Sequence, residues 1–526
     1  MKQYDYIIVG AGSAGCVLAG ELSSDPSISV LLVEDGSNGD DFLVTMPKGF
    51  GKLLTSPATA HFYPTINTRE GLGGQEVWVR GRMLGGSSGV NGMVWNRGVA
   101  PDYDRLAELC GEQWSWAEML PIFLGMEGDG ASASSGPVTV KTHPAPSPLL
   151  QAWVKAGGQM GLPVKQDHRQ GEQEGIGPLQ WNIDHRGKRV SSARAYLTDA
   201  RQRPNLEIVT GIRADHILLD GRRVTGIAGM RSDTQVEFHG KNVILSAGAI
   251  GSPRILQLSG IGPAETLKAA GVPVVLDNPH IGRHMREHSL VAMNFRLNSM
   301  RDSDNQAFSG WRLLANVARH ALSGTGPMSF GSSEAAAYVK ALSDSGRPDS
   351  QLMFAPYSLD PTKGMAMESE PGMQVYAMTL RPQSEGEISI ASSDPAAPLH
   401  INPNFLSDEY DRRAAIAQFH YIRKLMSQAA LTPYIAEETA FTASARSDED
   451  ILALYKGWGQ AGYHATATVR MGNTHDAPLD GHLRLRGIEG LRVVDCSAFP
   501  EMIAGNTNAP TMALAKQAAT LIRADR

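Results

Sequence analysis

One histidine, His464, sits in the stretch GYHATATVRMG (residues 462–472) among small, β-branched and apolar residues. A neutral imidazole, with an ordinary pKa of about 6.5, suits the acceptance of a proton near neutral pH. The same surroundings equally fit a histidine packed into a core. More than four hundred residues upstream, Gly10-x-Gly12-x-x-Gly15 stands between an apolar run and a helical pattern, and Glu34 closes the next apolar run. Gly10 permits a tight turn, Gly12 lets backbone N–H groups approach a pyrophosphate, and Gly15 lets helix and strand pack closely. Glu34 is placed to accept hydrogen bonds from an adenosine ribose. The pattern predicts dinucleotide binding and leaves FAD and NAD(P) open.

The elements that must carry these residues follow from periodicity. YDYIIVG reads as a buried parallel strand, AGSAGCVLAGELSSD as a helix and SISVLLVEDG as a second strand, together a βαβ unit. Residues 37–80, rich in Gly, Pro and Thr, predict a long surface excursion. GDGASASSGPVTVKTHPAPSP (128–148) predicts a loop or boundary. Strand patterns return over 205–250, where KNVILSAGAIGSPRILQLSGIG repeats the strand, small-residue turn and helix of the N-terminus. Over 291–455, QVYAMTLRP and GEISIASS predict a separate sheet, with DEYDRRAAIAQFHYIRKLMSQAA as a helix on it; after 460 come LRVVDCSAFP, a strand, and APTMALAKQAATLIRADR, a closing helix. Trp114 and Trp116 read as core packing, and SDEDIL as a helix start.

The glycines and serines of GRMLGGSSGVNGMVWNRG (81–98) offer a backbone that can lie against a flat cofactor, with an amide at Asn91. At Gly81, Arg82, Leu84, Gly85, Gly86, Ser87, Ser88, Val90, Asn91 and Trp95 this stretch resembles the first signature of the GMC (glucose-methanol-choline) oxidoreductases. GAIGSPRILQLSGIG (248–262) resembles the second signature at every constrained position. NLEIVTGIRA, NPHIGRHMREH and LRVVDCSAFP extend the resemblance over nearly the whole chain.

The resemblance implies an α/β fold: a Rossmann-like FAD-binding domain with a second, α+β substrate domain built on an antiparallel sheet. It assigns 1–160, 195–290 and 460–526 to the first domain and 161–194 and 291–459 to the second. It implies a flavoprotein that oxidises a primary alcohol. His464 falls at the catalytic histidine of a pattern that Thr468, Met471 and Gly472 also match, while Ala465 and Ala467 replace its proline and glycine. In GNTNAPTM the resemblance assigns the second catalytic position to Asn508, an amide that can orient the substrate oxygen. Contacts to FAD are implied for Gly10, Gly12, Ser13, Ala14 and Gly15; for Glu34; for Gly86, Ser87, Asn91, Gly92, Met93 and Val94; for Ala214, Ala247 and Tyr463; and for Asp495, Cys496, Asn508 and Thr511. Val90 stands where some members attach FAD through a histidine, so non-covalent FAD is expected. Structural roles are expected for His284 and His288, near which Glu287 replaces an aspartate. His61, His143, His168, His420, His475 and His482 show no metal spacing and are expected on the surface or in packing; no metal is expected.

Composition narrows the remaining classes. With 526 residues, 42% hydrophobic and 19% charged, the chain suits two domains. A net charge of −6 without long single-sign runs gives no nucleic-acid footprint. Cys16, Cys110 and Cys496 are too scattered for a disulfide framework and suit a reducing compartment. No run approaches the ~20 apolar residues of a membrane span, so a cytoplasmic enzyme with no membrane insertion is expected, an oligomer being open. The expected partners are a small-molecule alcohol, with an aryl or furanic alcohol as nearest analogy, and oxygen or another electron acceptor. Choline- or sugar-type oxidation and a hydroxynitrile lyase with structural FAD stand as alternatives.

Overall fold

The computed structural model describes residues 2–69, 71, 73–128, 136–143 and 146–526. Residues 129–135 and 144–145 of the expected loop at 128–148 lie outside them. The N-terminal βαβ unit comprises β1 (Gln3–Val9), α1 (Ser13–Leu22) and β2 (Val30–Val33). All four β2 residues and four of the last five of β1 are buried, as parallel strands covered on both faces require. α1 is apolar on nearly every side because it is sandwiched between the C-terminal helix Asn508–Ala524 and Ser192–Tyr196. Gly15 fixes its approach: a Cβ there would lie 1.9 Å from the carbonyl oxygen of Gly10.

Across the first sheet the order is Leu206–Val209, β2, β1, Thr234–Leu245, Arg223–Arg231 and Arg213–Asp220, with Leu491–Val493 beside the end of Thr234–Leu245. The strands on β1's side of Thr234–Leu245, and Leu491–Val493, run parallel; the last three in the order form an antiparallel meander. A second sheet of six antiparallel strands runs Ile435–Glu438, Ala292–Leu297, Gly372–Thr379, Ser350–Ala355, Ala335–Val339 and Gly175–Pro178. The α/β fold with a second, sheet-based unit is thus observed.

The structure moves two boundaries and one loop. Helix Pro148–Gln159 buries Leu149, Leu150, Trp153 and Ala156 in the core of the second sheet, so the first segment ends before residue 160. The hairpin Glu387–Ile390/Leu399–Asn402, expected with the second sheet, packs on helix Gly248–Leu258 of the first unit, because Ile388 and Ile401 share a core with Ala249 and Ile250. Residues 37–80 are not irregular throughout: Ala60–Arg69 and Gly74–Gly81 form an antiparallel hairpin that buries Trp78. SDEDIL does start a helix, Ser447 and Asp450 forming a reciprocal capping box.

Candidate active site

A cavity of about 1110 Å³ runs between the two sheets, larger than the several hundred Å³ common for a small ligand alone. One end is walled by Gly10, Gly12, Ser13, Ala14 and Glu34, and by Ala214 and Ala247. Gly86, Ser87, Asn91, Gly92, Met93 and Val94 line it from the loop after the 60–81 hairpin; Tyr463, His464, Asp495, Cys496, Asn508 and Thr511 line it from the C-terminal segment. Gly15 does not reach the cavity, since its missing side chain is what lets α1 touch the β1 turn. His61, expected in a surface or packing role, also lines the cavity and pairs with Asp35 at 3.0 Å beside Glu34.

The wall segments are held by polar contacts inside the protein. Glu34 accepts the N–H groups of Ala11 and Gly36, each at 2.9 Å, and burial pushes its carboxyl up to about 7. Asp495 accepts from the Gly248 N–H (2.8 Å) and the Ser252 hydroxyl (2.6 Å) at the start of helix Gly248–Leu258. The wholly buried guanidinium of Arg189 faces carbonyls: it donates to the backbone oxygens of Val44 and Asn91 and to Asn91 Oδ1, at 2.7–3.1 Å. Asn91 is thereby clamped, and its Oδ1 also accepts the Met93 N–H, helping Met93 to keep a left-handed φ of 64°.

His464 stands on the wall between the sheets. Its backbone N–H donates to Oε1 of Glu287 at 2.7 Å, and the His288 N–H donates to the same oxygen at 2.8 Å. The two imidazoles meet through their Nδ1 atoms at 2.9 Å, and His464 Nε2 lies 3.2 Å from Nδ2 of Asn506. Asn506 Oδ1 accepts from Gln351 at 3.2 Å, which fixes the amide with its NH2 toward His464. His464 Nε2 therefore accepts, its proton resides on Nδ1 and is donated to His288, and His288 turns its own Nε2–H toward the Leu380 carbonyl at 3.5 Å. Burial, then His288 and Arg80, hold His464 well below the ordinary imidazole value; burial lowers His288 to about 4. Burial also pushes Glu287 up to about 7, against the pull of Arg80 at 3.6 Å.

Asn508 is not the residue beside the histidine. It opens the C-terminal helix, and its Oδ1 accepts from the Ser13 hydroxyl at 2.7 Å, facing the glycine turn. Asn506, two residues earlier, extends into the loop that Asp102 pins by accepting the Ala504 N–H at 2.9 Å. His288, expected in a structural role, contacts His464 directly, whereas His284 bonds Glu385 away from the cavity. Ala467 adopts the left-handed φ, 69°, that glycine would take without strain, and the paired Arg286–Thr466 backbone holds the preceding residue in place. Among the described residues, Glu287, His288 and His464 are the one group with three potential metal-donor atoms close together, but hydrogen bonds between them already use both Nδ1 atoms and Oε1.

Residues 4–290 and 382–515 match the two family profiles described as GMC oxidoreductase. The chain belongs to the GMC oxidoreductase family. It is 35% identical to the oxygen-dependent choline dehydrogenase of Burkholderia multivorans over 99% of this chain and 94% of that protein. Pyridoxine 4-oxidase from Mesorbium loti superposes with a TM-score of 0.88 at 29% identity, covering 99% of each chain. A fungal aryl-alcohol oxidase shares the fold at 20% identity, with a TM-score of 0.84 over 100% of this chain and 99% of its own. This GMC member is an FAD-dependent alcohol oxidoreductase. Its residues fit the cofactor: a Cβ at Gly12 would find only the Ser246 oxygen, at 4.0 Å, and α1 begins there without a side-chain cap, leaving space and N–H groups for a pyrophosphate.

Glu287 supplies the test of this arrangement. Glu287→Leu leaves two buried N–H groups unpaired and is expected to cost about 2–4 kcal/mol in urea unfolding and to displace His464. Glu287→Gln retains a carbonyl acceptor and is expected to recover most of the stability.

Proposed function

We propose that this GMC oxidoreductase converts a neutral aryl or furanic primary alcohol to its aldehyde. His464 is the base and Asn506 orients the substrate oxygen. The observation that carries the reading is the pairing of an unprotonated Nε2 with an amide N–H, 3.2 Å apart, on a cavity wall. An alcohol oxygen seated against both groups takes the place of their direct hydrogen bond, accepting from Asn506 while its proton passes to His464. Bound FAD supplies a ring that accepts hydride from the carbinol carbon. Gly10, Gly12, Ser13 and Glu34 would hold its dinucleotide portion, and Asn91–Val94 its ring.

The substrate class follows from the lining. Among the described residues on the cavity, the carboxylates are Glu34, Asp35 and Asp495, all on segments that meet the dinucleotide side. Phe441, Trp458, Tyr376, Met353 and Met378 contribute apolar and aromatic surface, with Phe441 and Trp458 in edge-to-face contact at 4.9 Å. That aromatic pair favours choline-type alcohols as a second reading, because aromatic faces attract quaternary ammonium. Against it, Arg80 lies 5.6 Å from the Tyr463 ring and brings positive charge to the same cavity. A screen of anaerobic flavin reduction over benzylic, furanic, choline and sugar alcohols is expected to favour the first two; reduction by choline or sugars alone overturns the preference. Substrate that never bleaches the flavin points to a lyase. Peroxide formation in air, against turnover with a dye alone, assigns the acceptor.

His464→Ala with FAD retained is expected to slow flavin reduction by about 10²–10⁴-fold. The groups facing His464 are His288, Glu287, Arg80 and Tyr463. Because its proton affinity is lowered, the wild-type rate should hold level from alkaline pH down to about 6.5 and fall only below it. A fall centred well above neutrality contradicts the assignment.

His288 acts through His464, as an acceptor that keeps the proton on Nδ1 and the lone pair on Nε2. His288→Leu is expected to lower the reduction rate by at least about tenfold with little change in substrate affinity, while His288→Asn, which can still accept, restores it. Flavin is bound without covalent attachment at Val90, so acid or heat denaturation should release it into the supernatant.

A further inference from the structure

Helix Gly310–Ser323, GWRLLANVARHALS, turns a tryptophan and two leucines outward. Leu322 is 90% exposed, Trp311 74% and Leu314 71%, and Ala315 and Ala318 are exposed with them. At 3.6 residues per turn, positions 311, 314, 315, 318 and 322 fall on one stripe. The opposite side packs on the protein through His320, which is buried, with Leu313, Asn316 and Val317 half-buried around it. Arg312 and Arg319 border the stripe, both exposed, and no aspartate or glutamate occurs within the helix.

We infer that this helix docks the enzyme on an anionic lipid surface, lying in the plane of the interface. An outward stripe of tryptophan and leucine buries in the acyl boundary, and bordering arginines reach the phosphates; this is the balance of forces that holds amphipathic helices on bilayers. A second copy of this chain fits less well. A two-fold contact sets the surface against itself and brings the two arginines toward their own counterparts, with no acid on the helix to offset them. No helix among the described residues is long and apolar enough to cross a membrane.

The site places the cavity next to the lipid. The turn before the helix, Asn305–Phe308, is tied to residues 357–358: Asn305 donates to the Ser358 hydroxyl at 3.1 Å, and the Phe308 and Tyr357 rings meet edge to face at 5.8 Å. The chain then runs directly into Leu359, Pro361 and Met365, which line the cavity.

Cosedimentation of the FAD-loaded enzyme with vesicles tests the inference. Wild type is expected to sediment with phosphatidylcholine–phosphatidylglycerol vesicles more than with phosphatidylcholine alone, and less as salt is raised. The Trp311→Glu/Leu314→Glu/Leu322→Glu variant is expected to lose at least about tenfold in vesicle affinity while keeping its dye-coupled activity in solution. Arg312→Ala/Arg319→Ala is expected to lose the preference for phosphatidylglycerol. Wild type that stays in the supernatant with both vesicles overturns the inference, as does a triple variant that binds like wild type. A wild-type dimer that ignores vesicles and that the triple variant dissociates overturns it in favour of a second copy.

Discussion

One buried carboxylate oxygen ties the cavity histidine, His464, to the rest of the molecule. Oε1 of Glu287 accepts the backbone N–H groups of His288 and His464, residues separated by 176 positions, and so joins two chain segments at the point where their imidazoles must meet. Two N–H donors converge on that oxygen, and the protein would otherwise have to leave them unpaired in a buried site. The other oxygen, Oε2, lies 3.6 Å from Arg80 and has no hydrogen-bond partner. A proton taken up by the carboxyl near neutral pH can therefore reside on Oε2 and leave both backbone bonds in place. The clamp is insensitive to the charge it carries.

The cavity needs two kinds of wall, and the two sheets supply them differently. The parallel sheet ends in tight turns and helix starts, where N–H groups lack backbone partners and a phosphate is welcome. The antiparallel sheet presents side chains on its face, and these set shape and polarity toward the substrate. Between them runs the 81–98 loop, with few regular hydrogen bonds of its own. Arg189 compensates by bonding its carbonyls. Left-handed backbone at Met93, Tyr463 and Ala467 is kept near the cavity by such outside restraints, a concentration of strain common at functional sites.

What the sequence made legible was mostly local. Glycine spacing, a buried strand and an acid at the next strand's end are contained within some thirty residues, so the dinucleotide turn and Glu34 could be placed without knowing any tertiary contact. The 60–81 hairpin was missed because Thr, Gly and Pro masked its alternation, although Trp78 and Val79 mark it in retrospect. Glu287 and His288 were legible as residues but not as partners: only the antiparallel pairing of Arg286 with Thr466 brings them to His464. The shift from Asn508 to Asn506 has a simple cause. Both are asparagines in one short segment, and the start of the C-terminal helix falls between them, turning the later one back toward Ser13 and leaving the earlier one in the loop.

That placement makes the choice of side chain at 506 informative. An imidazole there could exchange its own proton with His464 and accept as well as donate, so which of the two held the lone pair would depend on pH. An amide cannot titrate in this range. With Gln351 occupying its oxygen, Asn506 can only donate toward the cavity, and His464 Nε2 is left as the acceptor. His288 enforces the same tautomer from the opposite side by accepting at Nδ1. Two neutral partners thus select one tautomer for His464, while burial, rather than a neighbouring carboxylate, keeps it uncharged. A carboxylate on Nδ1 would make the imidazole more basic and stabilise its cation after proton transfer. No carboxylate meets His464 Nδ1 here, where His288 accepts instead, so the ring keeps its low proton affinity.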